Sequence, residues 1–236
     1  MNRPHSTRWL VSSAVVLALV GGAAVLRGFA SSGSSTVANH ARPTSLHAPQ
    51  GAVVAAPTSP GPRRLQSGIP VGYAPTREGA IAAAVSFMAT GEALLGMNPA
   101  EVAAAIHTMA TAEAEGRILA ETTTRLAAAR GALAGSDALV EYRQAAVAVR
   151  VDDFDAVRAR VAVWNVGVLS RAGVAPPQAG WSISTFDLAW EHDDWKVAQE
   201  TVEPGPAPVP NTAVAPASSA ELDRRLAGFR AYGSRP

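Results

Sequence analysis

Cysteine is absent from the chain, which excludes a disulfide framework, thiolate chemistry and a lipid-modified cysteine anchor. Lysine is almost absent too: of the 20 basic residues only Lys196 is not arginine. With 19 acidic residues the formal net charge is +1, and no basic tract gathers the charge that would neutralise a run of phosphates. DNA is therefore not expected as a direct ligand, and the arginine, alanine and valine bias reads as the imprint of a GC-rich genome. No glycine-rich phosphate loop follows a strand, and no G-x-S-x-G elbow is present, so nucleotide and acyl chemistry have no support. Metal-ligand sets are missing as well. His107 has no histidine or carboxylate at i+4, and His192 sits beside Asp193 and Asp194 in what reads as a solvated turn, short of the three or four converging ligands a metal requires. No catalytic residue, cofactor or metal site is expected.

What the chain does have is one uninterrupted apolar run, Trp9 to Leu26, bracketed by Arg3, Arg8 and Arg27. Eighteen residues at the helical rise span about 27 Å, close to the hydrocarbon core of a bilayer. The run predicts a single-pass transmembrane anchor through residues 9–26. Greater positive charge before the run places the N-terminus in the cytoplasm and the rest outside. A cleaved secretory signal is the alternative; against it, the run exceeds the usual apolar length, and the A-x-A-like Gly28-Phe29-Ala30 follows Arg27 directly.

Composition divides the remainder. Residues 28–67 are rich in serine, alanine and proline with few large apolar side chains, so they cannot offset their ordering entropy and are expected to form a disordered tether reaching roughly 35 Å. Residues 68–206 are expected to form one exported domain. A proline- and alanine-rich tail, 207–236, follows. In these terms the chain is a cytoplasmic tail and anchor (1–27), a tether, a domain and a tail.

Within the domain the apolar period changes once. Thr76 is a cap for a helix with Ile81, Val85 and Met88 on one stripe. Asn98-Pro99-Ala100-Glu101 is a start signal for a second helix carrying Val102, Ile106 and Met109. A third helical stretch runs from about Ala114 to Leu133. After Gly135 the period falls to two: Glu141 to Asp152 with Ala145, Val147, Val149 and Val151 on one face, then Val157 to Leu169, then a hairpin of Trp181 to Glu191 and Trp195 to Thr201 around Glu191-His192-Asp193-Asp194. Helices followed by a strand meander predict an α+β fold, about three helices packed on a curved antiparallel sheet of about four strands. Ser218 to Arg230 is expected to close the chain as a short amphipathic helix with Leu222, Leu226 and Phe229 on one side.

Three stretches together resemble a known family. They are Gly68-Ile69-Pro70-Val71-Gly72-Tyr73 leading into Thr76-Arg77-Glu78-Gly79-Ala80-Ile81-Ala82-Ala83-Ala84; Ala162-Val163-Trp164-Asn165-Val166-Gly167-Val168; and Asp187-Leu188-Ala189-Trp190 through Asp193-Asp194-Trp195-Lys196-Val197. These resemble exported, single-anchor proteins of actinobacterial conjugative and integrative elements, whose soluble part is similar to the inner-membrane scaffold subunit of type IV secretion systems. The resemblance implies a nuclear-transport-factor-two-like cone and a non-enzymatic scaffold role in an envelope-spanning complex, a conjugative DNA-transfer apparatus foremost. An accessory membrane protein of an actinobacterial lipid importer has the same layout. A small-molecule-binding or isomerase-like protein using the interior of the cone is a third reading, from a different class.

The third reading needs an inward acid or base. Asp187 and Tyr142 are the candidates, yet the period of two turns Asp187 away from Phe186, Leu188 and Trp190, and Tyr142 falls opposite Ala145, Val147 and Val149, as an edge or interface residue. On the strand after Val157, Trp164, Val166 and Val168 share the face opposite Val161 and Val163. An exposed indole flanked by two valines would mark a surface covered by another subunit or a second copy. Truncating Trp164 should then weaken association at little cost in stability. Trp164, Val166, Val168, Leu222, Leu226 and Phe229 are the expected interface residues.

Overall fold

Side-chain caps start the first two helices of the computed structural model, which describes residues 59–133, 140–171, 175–209 and 215–233. Helix α1 (Arg77–Leu94) begins where the Thr76 hydroxyl accepts from the Gly79 N–H at 3.1 Å. Helix α2 (Pro99–Met109) begins in a reciprocal box: Asn98 Oδ1 accepts from the Ala100 and Glu101 N–H groups, and Glu101 Oε2 accepts from the Asn98 N–H at 2.8 Å. Each cap satisfies donors that a helix start leaves unpaired. Helix α3 (Glu115–Leu133) supplies the matching C-terminal device. Its Arg130 donates to the carbonyls of Leu94, Leu95 and Met97 at the end of α1, so one guanidinium both completes α1 and locks it to α3.

Ahead of α1, strands β1 (Arg64–Gln66) and β2 (Ile69–Val71) form a two-stranded hairpin about Ser67 and Gly68, both at positive φ. The last residues of the segment expected to be tether are thus already part of the folded domain. Four long strands follow: β3 (Val140–Phe154), β4 (Arg158–Arg171), β5 (Ala175–Glu191) and β6 (Asp194–Pro204). The chain returns with a short helix α4 (Ser219–Arg225) and a two-residue strand β7 (Arg230–Ala231). The sheet order is β6-β5-β4-β3-β7, antiparallel throughout.

The expected architecture, a transmembrane helix followed by about three helices on about four strands in a nuclear-transport-factor-two-like cone, is corrected. The described chain is α+β with a five-stranded antiparallel sheet and four helices. No described helix is long and apolar enough to cross a membrane, which says nothing of a β-barrel; the anchor expected over residues 9–26 lies outside the described residues. The fifth strand arises because the terminal helix is short and the chain then turns through Gly228, at φ +77. Leu226 is already the C-cap of that helix, and Arg230 and Ala231 pair with Val149 and Ala148.

Both faces of the sheet are covered. On one, α1, α2 and α3 bury Phe87, Ile106 and Leu126 against Val161, Val163, Phe186 and Leu188. On the other, Ala148, Ala162, Trp164 and Ile183 lie beneath Leu222, Leu226 and Phe229. Strand β3 departs from the expected parity. A bulge between Ala146 and Ala148 shifts its register, so Val147 and Ala148 both join the second cluster, while Tyr142 and Ala146 fall on the helix side with Val149 and Val151. Val157, expected on the core face of β4, lies in the turn before it and is 55% exposed.

The β5–β6 turn is His192-Asp193, both residues at positive φ, the conformation a two-residue hairpin with the right-handed strand twist requires. It delivers Asp194 to the interior. Asp194 is 1% exposed, not a solvated turn acid as expected; its carboxylate accepts from the N–H groups of Gly72 at 2.8 Å, Tyr73 at 2.9 Å and Trp195 at 3.0 Å. The Trp195 indole N–H donates to the Ala74 carbonyl at 2.8 Å. Helix α1 then passes so close that a Cβ on Gly79 would lie 2.0 Å from the same carbonyl, which is why a glycine stands inside a helix despite its cost there.

Two outcomes test this tie. Asp194→Ala orphans three main-chain donors and should cost about 3–5 kcal/mol in urea unfolding; a loss below about 1 kcal/mol would show that the segment from Gly68 to Tyr73 is held by other means. Burial raises the Tyr73 hydroxyl from 10.0 to about 12, so between those pH values the unfolded chain gives up a proton that the folded chain keeps. The contribution of Tyr73 to stability should therefore be intact below pH 10 and fall by about 1.4 kcal/mol per pH unit up to pH 12. Tyr73→Phe should make the alkaline fall in denaturation curves shallower by that amount and leave the part contributed by the buried Tyr142.

Candidate functional site

The residues that sequence logic singled out do not converge on one centre. Asp187 lies on the sheet face away from the helices, paired with Arg160 at 3.2 Å, as the strand period requires when Phe186 and Leu188 fill the core. Tyr142 is corrected from edge to interior: it is 4% exposed, and its hydroxyl has no partner among the described residues. Burial, with Glu92 nearby, pushes it well above the ordinary tyrosine range. His107 Nδ1 meets Glu115 Oε2 at 3.0 Å on an exposed surface, a carboxylate at i+8 brought round by the α2–α3 turn. Among the described residues no group of three or more histidine, aspartate or glutamate side chains is placed to hold a metal ion.

The six expected interface residues fall on the outer sheet face and the segment that crosses it. Trp164 is corrected from exposed to buried, at 9% exposure. Its ring stacks on Trp181 at 4.9 Å, and Leu222, Leu226 and Phe229 pack on the cluster. Arg150 fastens this cover, with its guanidinium 4.7 Å from the Phe229 ring centre and Nη1 donating to the Ala227 carbonyl at 3.3 Å. The unpaired apolar faces of β4 and of the terminal segment are thus covers for each other. Val166 and Val168 are half-buried. The indole N–H groups of Trp164 and Trp181 meet no acceptor among the described residues.

Two features escaped sequence reasoning. The first is a polar knot on the helix face of the sheet. Asn165, fully buried, accepts from Gln144 Nε2 at 3.0 Å and Ser182 Oγ at 2.9 Å, and donates to the Val163 carbonyl and Ser184 Oγ. An asparagine in phase with Val161 and Val163 was the available signal, since a buried amide must find partners.

The second is an interior cavity of about 90 Å³ between the helices and the sheet, walled by Phe87, Ile106, Leu126 and Phe186 with Gln144 and Ser184 on its sheet side. Arg125 and Glu200, paired at 3.4 Å, line both this cavity and a surface groove of about 520 Å³ between α3 and β6. Closer to the turn, Lys196 donates to the Thr108 carbonyl at 2.6 Å and lies 4.0 Å from Asp194. Its burial lowers its pKa, because desolvation disfavours the ammonium form.

Comparison with known proteins adds a family and a slight likeness. Residues 22–217 match a family described as "Domain of unknown function (DUF8175)". No curated protein matches the chain. Among solved structures, the crystal structure of the intermembrane space region of chloroplast protein ARC6 is similar at 16% identity with a TM-score of 0.34, covering 54% of this chain and 94% of that one; so slight a likeness carries no argument.

The packing about Trp164 makes its own prediction. Trp164→Ala removes a buried indole from beneath a half-exposed cover and should lower unfolding free energy by about 3 kcal/mol, in contrast to the small cost expected of a free surface residue. An unchanged melting temperature would mean that the terminal segment does not occupy this face in solution.

Proposed function

The chain belongs to the DUF8175 family, and on that footing we propose that it is a non-enzymatic, membrane-tethered scaffold subunit of an envelope-spanning complex, most closely of the conjugative DNA-transfer kind. One observation carries this reading. The Pro-Val-Gly-Tyr lead-in and the Asp-Asp-Trp-Lys hairpin, which underlie the resemblance to secretion-system scaffolds, meet in a single contact through Asp194, Gly72 and Tyr73. The residues that suggest the family resemblance are therefore the ones that set the domain's shape. Supporting it, the apolar run at residues 9–26 has the length of a membrane span, with greater positive charge ahead of it than behind. The small-molecule reading gains less support, since a cavity of about 90 Å³ is well below the roughly 300–1,000 Å³ of ordinary ligand sites.

The test joins topology to transfer. A phosphatase active only outside the cytoplasm, fused after Thr58, should be active, and deleting the gene in its host should reduce conjugative DNA transfer at least a hundredfold with lipid uptake unchanged. Loss of lipid uptake with normal transfer would instead assign the chain to an importer, and an inactive fusion would reverse the topology.

A further inference from the structure

Strand β6 is an outer strand of the sheet, and its outward main-chain groups can be followed one by one. The Gly205 N–H donates inward to the Trp181 carbonyl at 2.9 Å, so by the period of two residues 203, 201 and 199 also face β5. Residues 200, 202 and 204 face outward, and beyond them Ala198 stands in a bulge opposite no residue of β5. Both ends of that outward row are occupied. Arg117 Nη2 donates to the Ala198 carbonyl at 2.7 Å, and Arg225 Nη2 donates to the Pro204 carbonyl at 2.6 Å. Pro204, which has no N–H to offer, stands where an edge tolerates it. Between these two arginines the N–H and C=O groups of Glu200 and Val202 have no partner among the described residues.

That open stretch forms one wall of the α3–β6 groove. The facing helix presents Ala120 and Thr124, short side chains that leave room for another main chain to approach. The groove is not only a strip of edge. Arg125 and Glu200 line it and the interior cavity alike, and their hydrogen bonds are loose, at 3.4 Å, as is that of Arg125 to Thr122. Behind them the cavity is walled largely by aliphatic and aromatic side chains. An unfilled row of main-chain donors and acceptors calls for a strand, and an apolar cavity opening beside it calls for one of that strand's side chains. Alternate residues of an added strand point to the same side, so one residue can reach the cavity while its neighbours stay in the groove.

We propose that the groove between β6 and α3 takes an extended peptide segment of a partner protein as an added strand, paired to Glu200 and Val202, with one large aliphatic side chain entering the cavity past Arg125 and Glu200. The proposal deepens the scaffold reading by giving the partner's chemistry, and it rests on that reading only for the partner's biological setting. The length of the open row, bounded by Arg117 and Arg225, limits the paired stretch to a few residues. Specificity then comes from the single buried side chain and not from charge, because Arg125 and Glu200 already neutralise each other.

The test uses the full chain in detergent micelles and random hexapeptides displayed on phage as the probe. Enriched sequences should carry one leucine, isoleucine or methionine within an alternating pattern. As synthetic peptides they should slow amide hydrogen exchange at Glu200 and Val202 at least tenfold. Val202→Pro, which removes an outward donor at an edge position, and Ala120→Arg, which fills the groove from an exposed helix position, should each weaken peptide binding at least tenfold at wild-type melting temperature. Thr123→Arg, exposed on the same helix outside the groove, should leave binding unchanged. No enrichment, or binding that survives both groove variants, or unprotected amides at Glu200 and Val202 with peptide bound, would overturn the proposal. Peptides whose binding is lost on Trp164→Ala but not on Ala120→Arg would overturn it in favour of the opposite sheet face. None of these results bears on DNA transfer by the gene-deleted host, so the docking and the scaffold role fail separately.

Discussion

One carboxylate holds this domain in its shape. Asp194, the first residue of β6, sits in the interior and accepts from main-chain donors of two segments more than a hundred positions apart in sequence. Without such a charge the Gly72 and Tyr73 donors would be buried with no acceptor, and a carboxylate is the acceptor that serves several N–H groups at once. Once the hairpin β1–β2 is fixed against the β5–β6 turn, the rest follows in order. Trp195 reaches the Ala74 carbonyl, its ring lies within 6.1 Å of Phe154 and 5.3 Å of Trp190, and α1 begins from a defined point above the sheet. The fold is closed at this corner by polar contacts and filled by aromatic ones.

The sheet meets its neighbours unequally. Its inner face is covered by three helices and a contiguous apolar core, whereas its outer face is covered by a terminal segment whose helix buries no residue completely. The two edges differ in the same way. At β3, the strand β7 and the Glu92 carboxylate, which accepts from the Gln144 N–H, occupy parts of the edge. At β6, the α2–α3 turn and two arginines occupy the ends, and among the described residues the middle is open. Since unpaired strand edges tend to recruit other chains, an edge closed at both ends and open for two residues restricts what can pair there by length. The same economy explains the polar knot at Asn165, which holds β3, β4 and β5 in one register beside the cavity.

Much of the local structure was legible. Thr76 and the Asn98-Pro99-Ala100-Glu101 box predict helix starts because capping is a contact between neighbours in sequence, and the structure has both. The two apolar faces of β4 follow from its pattern for the same reason. Three local signals misled. The bulge in β3 inverts the face of Tyr142, since one inserted residue reverses every side chain before it relative to those after it. The terminal helix ends at Leu226 and the chain turns through Gly228, where the spacing of Leu222, Leu226 and Phe229 would continue a helix. Asp194 looks like the second acid of a turn, because nothing in its neighbourhood tells that the main chain of Gly72 and Tyr73 will arrive there. The candidate surfaces fared alike. The sequence marks Trp164 and Leu226 as apolar and unpartnered, but it does not say that they meet.

By itself, then, the sequence determines what depends on near neighbours: where helices begin, which strands are apolar on two sides, how long the apolar run at residues 9–26 is, and that no cysteine takes part. The tertiary structure decides what depends on residues far apart. It places Asp194 under the Gly72 and Tyr73 donors, lays the terminal segment over Trp164, joins Arg125 to Glu200 between cavity and groove, and leaves the main-chain groups of Glu200 and Val202 open among the described residues. A side chain's period follows from the backbone conformation of its own segment, whereas its partner is fixed only when another segment, brought by the packing of the whole chain, comes within hydrogen-bonding or contact distance.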